Sequence, residues 1–281
     1  MREIDVSLVK NMLQEACGKA AHEYSPDILA ALLQAEEHET KELSIKALQM
    51  LAENAKIART ERIPICQDTG MAIVYLNIGQ EVHFIGGDLY AAVNDGIRAG
   101  YKGNYLRASI VDDPLFERKN TTDNTPAAIY CKIVPGNQVV IEFMAKGFGS
   151  ENKSKTAMLT VADGVEGVKR FILSTIQEAG PNACPPFIVG VGIGGSFDSC
   201  AVLAKRALLR PLGESNSDPR YAQLENELLA AANQLKVGPL GFGGSTTALK
   251  VQVEYAPTHI AGLPVAVNMC CHVCRHARKV I

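Results

Sequence analysis

The sequence has no excess of charge of either sign. Its 281 residues carry 28 Lys and Arg against 30 Asp and Glu, a formal net charge of −2. A global basic field that would hold nucleic acid or an anionic membrane surface is thereby excluded, and any anionic ligand must be caught by a local site. Long apolar runs are missing too: stretches such as Phe187 to Ile193 are short and interrupted by glycine, far below the roughly 20 residues needed to cross a bilayer. The N-terminus, MREIDVSLVKNMLQEAC, is acidic by position 3 and has no apolar block followed by a small-residue cleavage site. No leader is read there, and a cytoplasmic location is expected. Eight cysteines in a chain of this length, with Cys270 next to Cys271, do not make a disulfide framework. They fit a reducing compartment with metal or redox chemistry. Repeats, low-complexity tracts and a linker that would split the chain are also absent.

What is present is a globular composition, 47% hydrophobic and 21% charged, with none of the polar bias that keeps chains disordered. The expectation is an α/β fold (mixed α and β) forming one domain over 1–281. Residues 1–60 should be helical, and 61–281 should be mixed β-sheets with packed helices that carry the chemistry. From Val6 to about Thr60, apolar positions such as Val9, Leu13, Leu29, Leu32, Leu48 and Leu51 recur at spacings of three and four, which predicts three amphipathic helices. Ser25-Pro26 supplies the break, as an N-cap followed by proline at N1. After Pro64 the texture turns β-branched. Runs at 71–78, 82–85, 127–134 and 139–144 read as strands, the last two flanking Pro135-Gly136-Asn137 as a hairpin. The polar stretch 104–125 reads as a long surface loop. Further on, 165–178, 199–209 and 221–235 read as helices, and 187–193, 248–255 and 263–268 as strands.

Three cysteines stand in unusual contexts: Cys66 opens Cys66-Gln67-Asp68-Thr69-Gly70, Cys184 precedes Pro185-Pro186, and Cys271 lies in Asn268-Met269-Cys270-Cys271-His272-Val273-Cys274-Arg275-His276. The plain alternative for each is a buried small hydrophobe. Dispersed cysteines suit an iron–sulfur core, which the fold must gather. A zinc site is the rival, since Cys270, Cys271, His272, Cys274 and His276 form a ligand-rich tail, but the second close pair usual in zinc modules is missing. Gly190-Val191-Gly192-Ile193-Gly194-Gly195 resembles a dinucleotide turn only superficially, and its glycines are expected to let backbone approach a cluster or ligand. Lys146-Gly147-Phe148-Gly149-Ser150-Glu151-Asn152-Lys153 offers an anion N–H donors, a hydroxyl, an amide and two ammonium groups, or is a solvated hairpin exit. Arg107 is a carboxylate-clamp candidate.

Taken together and in this order, the Cys66–Gly70 motif, the Lys146–Lys153 loop, Asn182-Ala183-Cys184-Pro185-Pro186, Gly190–Gly195 and the His259-to-Cys271 segment resemble the alpha region of class I fumarases and tartrate dehydratases across essentially the whole chain. The family pattern has a cysteine four residues before an arginine, met by Cys271 and Arg275; His272 stands where tryptophan is usual, and Cys270 and Cys274 are extra. The resemblance implies a 4Fe-4S cluster on Cys66, Cys184 and Cys271, with one iron left open to bind a substrate carboxylate and hydroxyl. It implies Asp68 as proton donor to the departing hydroxyl. Gln67, Asp68, Arg107, Gly149, Ser150, Asn152, Lys153 and His259 would bind the small dicarboxylate substrate. The plain alternatives are an Asp68 that caps a turn through Thr69 and Gly70, and a structural His259. Longer members continue into a second domain, so the resemblance implies an alpha subunit that needs a separate beta subunit, in an α2β2 assembly; homodimerisation through alpha alone is a second arrangement. Neither nucleic acid nor membrane is an expected partner. The expected reaction is hydration of fumarate to malate, with dehydration of L-tartrate or another 2-hydroxy dicarboxylate as the alternative. A zinc-stabilised or cluster-sensing scaffold without turnover is the alternative of a different class.

Overall fold

The computed structural model describes residues 1–281. In chain order the elements are β1 (Arg2–Asp5), α1 (Val6–His22), α2 (Pro26–His38), α3 (Glu42–Glu61), β2 (Met71–Gly79), β3 (Val82–Ile85), α4 (Leu89–Gly103), β4 (Ala128–Val134) and β5 (Val139–Lys146). There follow α5 (Phe148–Glu151), β6 (Lys155–Leu159), α6 (Gly164–Ala179), β7 (Phe187–Gly195), α7 (Phe197–Ala207), α8 (Pro219–Gln234), β8 (Ala248–Thr258), β9 (Leu263–Cys270) and β10 (Arg275–Val280). The fold is α/β, as expected. No helix is long and apolar enough to cross a membrane. The chain divides into two compact units, one made of 1–25, 55–147 and 275–281, the other of 26–54 and 148–274. The helical segment 1–60 is therefore shared between them.

In the first unit, α1 begins where the Asp5 carboxylate accepts the Ser7 N–H at 2.8 Å and buries Val9, Leu13, Ala16 and Ala20 on one stripe. Asp88 caps α4 in the same way, accepting from Ala91 N at 2.7 Å. The sheet runs β10-β5-β2-β4. β2 pairs parallel with β4 and antiparallel with β5, so the hairpin expected of 127–134 and 139–144 does not form. The reason is burial. β2 is apolar on both faces along most of its length, and such a strand belongs in the sheet interior with both edges paired. The link between β4 and β5 instead straddles the end of β2, where Gly79 N donates to Gln138 O (2.8 Å) and Glu81 N to Gly136 O (3.0 Å). Val74, Leu76, Ile141 and Phe143 form the core with Val9 and Leu13 of α1 and Val93 and Ile97 of α4.

The second unit is a four-stranded sheet, β6-β9-β7-β8. One face packs Val189, Val191, Val251, Val253, Val265 and Val267 against α6 and α8. On the other face Cys200 and Ala204 of α7 meet Ala266. Here the glycines of β7 find their reason: a Cβ at Gly190 would stand 2.1 Å from the Ala204 carbonyl oxygen, and one at Gly192 2.0 Å from that of Cys200. The glycine run admits a helix flush against the strand, and not a ligand. The dinucleotide reading loses its cradle as well, because Ser196 and Ser199 close the turn into α7 as a capping box.

Candidate active site

The Cys66–Gly70 loop lies in the first unit. It leaves α3 through Arg62, whose φ of 52° is left-handed, and Pro64, which cannot prolong the helical bonding. Ile65 N then donates to Ala21 O at 2.9 Å, setting the loop against the end of α1. Thr69 and Gly70 are buried, Cys66 and Asp68 half-buried and Gln67 exposed. Their carbonyls are held from below: the Tyr101 hydroxyl lies 2.9 Å from Thr69 O and 3.0 Å from Gly70 O, and Asn124 Nδ2 donates to Gly70 O at 3.1 Å. Burial pushes the Tyr101 phenol above its ordinary pKa, so it stays a donor across the physiological range. Gly70 has φ 82°, and a Cβ there would lie 2.8 Å from the Ala145 carbonyl carbon, so no other residue fits the bend. Thr69 Oγ1 donates to Arg107 O at 3.0 Å, which places the exposed Arg107 beside this loop.

Asp68 does cap the turn, its Oδ1 accepting Gly70 N at 3.0 Å. Its other oxygen borders Gly147, where a Cβ would stand 3.2 Å from Asp68 Oδ2 and 3.4 Å from Arg275 Nη2. Arg275 Nη1 donates to Asp68 O at 2.6 Å. Tyr101, Asn124 and the contact of Arg275 were beyond the reach of the sequence. The only signal was the place of Arg275 in the family pattern.

Asn124 is fixed in turn by Ser109 N, which donates to its Oδ1 at 2.8 Å, and by its neighbour Asp123. Burial would raise the Asp123 carboxyl, but the Thr125 hydroxyl and amide and the Arg98 guanidinium outweigh it and hold the pKa at about 2, below the ordinary 3.8. A depressed carboxyl contributes stability that is complete above the unfolded value and is lost as pH falls through the folded one. We expect urea midpoints to drop between about pH 4 and pH 2 in the parent, and Asp123→Asn to show a smaller drop over that window. Equal slopes in the two proteins would refute the assignment.

The other two candidate cysteines lie in the second unit. Cys184 ends a tight turn at Gly180–Ala183 in the left-handed region, φ 53° and ψ 69°, a conformation uncommon outside glycine that persists where surroundings impose it. Those surroundings are a glycine-rich loop: Leu240 N donates to Pro185 O at 2.8 Å, and Gly241 packs on the Pro181 ring. The loop is pinned by the buried Glu39, whose carboxylate accepts from Ser245 N (2.8 Å), Ser245 Oγ (3.1 Å) and Thr246 N (3.2 Å). On the far side His272 N donates to Cys184 O at 3.3 Å, so the Cys184 turn and the Cys271 segment are joined. Cys184 is exposed and Cys271 half-buried, whereas Cys17, Cys200, Cys270 and Cys274 are buried. Cys66, Cys184 and Cys271 are thus not buried small hydrophobes, the plain alternative for each. Cys131, on the edge strand β4, is exposed as well. No three His, Cys, Asp or Glu side chains converge as a single-ion site requires. A cluster distributes its thiolates over different irons and is not subject to that requirement.

The loop expected to catch an anion is more committed than its sequence suggested. Lys146 is 1% exposed, with Nζ donating to Gly147 O at 3.3 Å, so it is not a solvated hairpin exit. Phe148–Glu151 is one helical turn, and the N–H groups of Asn152 and Lys153 are spent on Phe148 O and Ser150 O, both at 3.0 Å. Ser150 is buried. Gly149 and the Asn152 side chain are exposed and Lys153 partly so. Glu151 pairs with Lys205 and accepts from Asn268 Nδ2 at 2.9 Å, tying the loop to α7 and β9. His259 sits exposed in the turn between β8 and β9, its Nδ1 accepting from Ala261 N at 3.2 Å. At about 3.4 Å per residue, β9 puts roughly 24 Å between that turn and Cys270, so the structure does not bring His259 together with Cys271.

Comparison with known proteins shows the family. Residues 10–280 match the family described as Fumarate hydratase (Fumerase). The chain is 39% identical over 277 residues to a Methanocaldococcus jannaschii protein provisionally named L(+)-tartrate dehydratase subunit alpha, covering 96% of each chain. It is 31% identical over 249 residues to the L(+)-tartrate dehydratase subunit alpha of Escherichia coli strain UTI89, covering 87% of this chain and 81% of that one. The K12 strain's protein of the same name is 30% identical over the same length.

Proposed function

The chain belongs to the class I fumarase and tartrate dehydratase alpha-subunit family and is a hydro-lyase; from that premise we propose that it is the cluster-bearing alpha subunit of an enzyme that adds water reversibly to a four-carbon unsaturated dicarboxylate. Cys66, Cys184 and Cys271 hold a 4Fe-4S cluster in this reading. The observation that carries it is the sorting of the cysteines, since these three, with Cys131 on the edge strand β4 as the one other, escape the core that takes Cys17, Cys200, Cys270 and Cys274. The donor set fits the group: three thiols suit a soft iron–sulfide core, and Cys184 is held left-handed and exposed at a turn braced on both sides. When bound, a cluster with one iron lacking a thiolate supplies Lewis acidity toward a carboxylate and a hydroxyl.

The remaining work falls to side chains. Asp68 holds the proton that leaves with the hydroxyl, its carboxylate being steadied through the Gly70 N–H. The exposed Arg107 fork pairs with a substrate carboxylate, with Gln67, Gly149, Asn152 and Lys153 as the other polar contacts. The buried Ser150 shapes the loop. His259 is left out of this assignment because of its separation from Cys271 along β9. Fumarate and malate are the primary substrates in this reading, on the Ser-, Asn- and Lys-rich character of residues 146–153. The names of the relatives favour L-tartrate as the second reading, and their designation as alpha subunits supports a beta partner in an α2β2 assembly.

Anaerobic purification with and without a co-expressed beta subunit tests all of this. About four irons and four sulfides per chain, with fumarate hydration only when both chains are present, are expected. Turnover of L-tartrate but not malate would move the substrate to the second reading. Stoichiometric zinc without iron would overturn the cluster.

A further inference from the structure

Arg275 is a buried cation that the reaction as described does not use. It opens β10 and is 3% exposed, yet β10 is an edge strand whose later residues Arg278 and Lys279 are exposed. Its guanidinium reaches across to the Cys66–Gly70 loop and donates from Nη1 to Asp68 O at 2.6 Å. Nη2 and Asp68 Oδ2 flank the same point, the missing Cβ of Gly147, at 3.4 and 3.2 Å. Nε is buried without a hydrogen-bond partner. A buried charge carrying an unpaired donor is a poor way to stabilise a fold, and such departures from local economy concentrate where function requires them.

We infer that Arg275 is the positioning residue of Asp68: through the Asp68 carbonyl it fixes the pitch of the loop, so that the carboxylate faces the space that Gly147 keeps clear. The inference rests on the proposed role of Asp68 in proton transfer. The loop is held from one side by Tyr101 and Asn124 at Thr69 and Gly70, and Arg275 adds the constraint nearest the carboxylate itself. An ammonium can replace one donor at the carbonyl but not the planar fork, so lysine should rescue in part.

The test uses the anaerobic holoenzyme with its beta subunit and the variants Arg275→Gln, Arg275→Lys, Asp68→Asn and the Asp68→Asn/Arg275→Gln double. Arg275→Gln should lower kcat by about 100-fold, the order expected of a small misplacement of a reacting group, with KM and iron content little changed. Arg275→Lys should recover about 10-fold of that loss. Backbone amides of residues 66–70 should exchange with deuterium faster in Arg275→Gln. In the Asp68→Asn background the Arg275 change should cost no more than about 3-fold, since residues acting as a unit are non-additive. Losses that multiply, or a lost kcat with unchanged exchange at 66–70, would overturn the positioning role. A fully active Asp68→Asn would sink the proton-transfer reading instead, and exchange at 66–70 would then decide on Arg275 alone. Should Arg275→Gln not fold, the same two readouts apply to Arg275→Lys.

Discussion

Cys184→Ser, purified anaerobically with its beta subunit, is expected to contain little iron and to have hydration activity at background, while Cys270→Ser and Cys274→Ser keep both. The contrast follows from placement. Cys184 is exposed at a braced left-handed turn, whereas Cys270 and Cys274 are 3% and 2% exposed, and the Cys274 thiol contacts Leu208 O at 3.8 Å. A hydroxyl at 184 is a hard, weakly acidic ligand where a soft thiolate is called for. At 270 or 274 the same exchange only places a small polar group in a core, at about 0.5–3 kcal/mol of stability. Cys66→Ser and Cys271→Ser should behave as Cys184→Ser does. Iron retained in any of those three, or lost in Cys270→Ser with folding intact, would remove that cysteine from or add it to the ligand set.

Asp68→Asn should fold, bind its cluster and turn over about 100- to 10,000-fold more slowly, the range expected when a positioned proton-transfer group is lost. The amide preserves the capping geometry, since its oxygen can still accept the Gly70 N–H that Asp68 Oδ1 accepts now. The loop and its anchors at Tyr101 and Asn124 should therefore stay as they are, and KM should move little. Steady-state kinetics beside an iron assay separate the cases: a fall in kcat with full iron supports the role, and a fall matched by iron loss would reassign Asp68 to holding the loop.

The local parts of this architecture were legible in the sequence. Apolar spacing between Val6 and Thr60 marks three helices because α1, α2 and α3 each bury a single stripe. α4 escaped notice because Gly96, Gly100 and Gly103 interrupt its pattern; the first two are there to admit α1, a Cβ at Gly96 lying 2.5 Å from Lys10 O. β10 was missed because Arg275, His276, Arg278 and Lys279 do not read as a strand, as an edge permits. Neighbours in sequence misled once: the runs around Pro135–Asn137 suggested a hairpin although β2 lies between them. The role of His259 came from the family resemblance alone, and no spacing could show that β9 extends between it and Cys271. In the site, the three cysteines were marked by their own contexts. What holds them was not, because Tyr101, Asn124 and Glu39 act on residues 31, 54 and 206 positions away, and no local pattern encodes such pairings.

The first unit is assembled from three separated stretches, and its last strand is residues 275–280. During synthesis the ribosome therefore releases β5 long before the strand that will flank it, and the edge of β5 waits through more than a hundred residues of translation. Long-range pairings of this kind form late and leave strand edges open meanwhile. Arg275 arrives with that strand, so the carbonyl of Asp68 receives its guanidinium partner only once more than two hundred further residues have been made. Nascent chains halted before residue 275 should then carry the Cys66–Gly70 loop in an unset form.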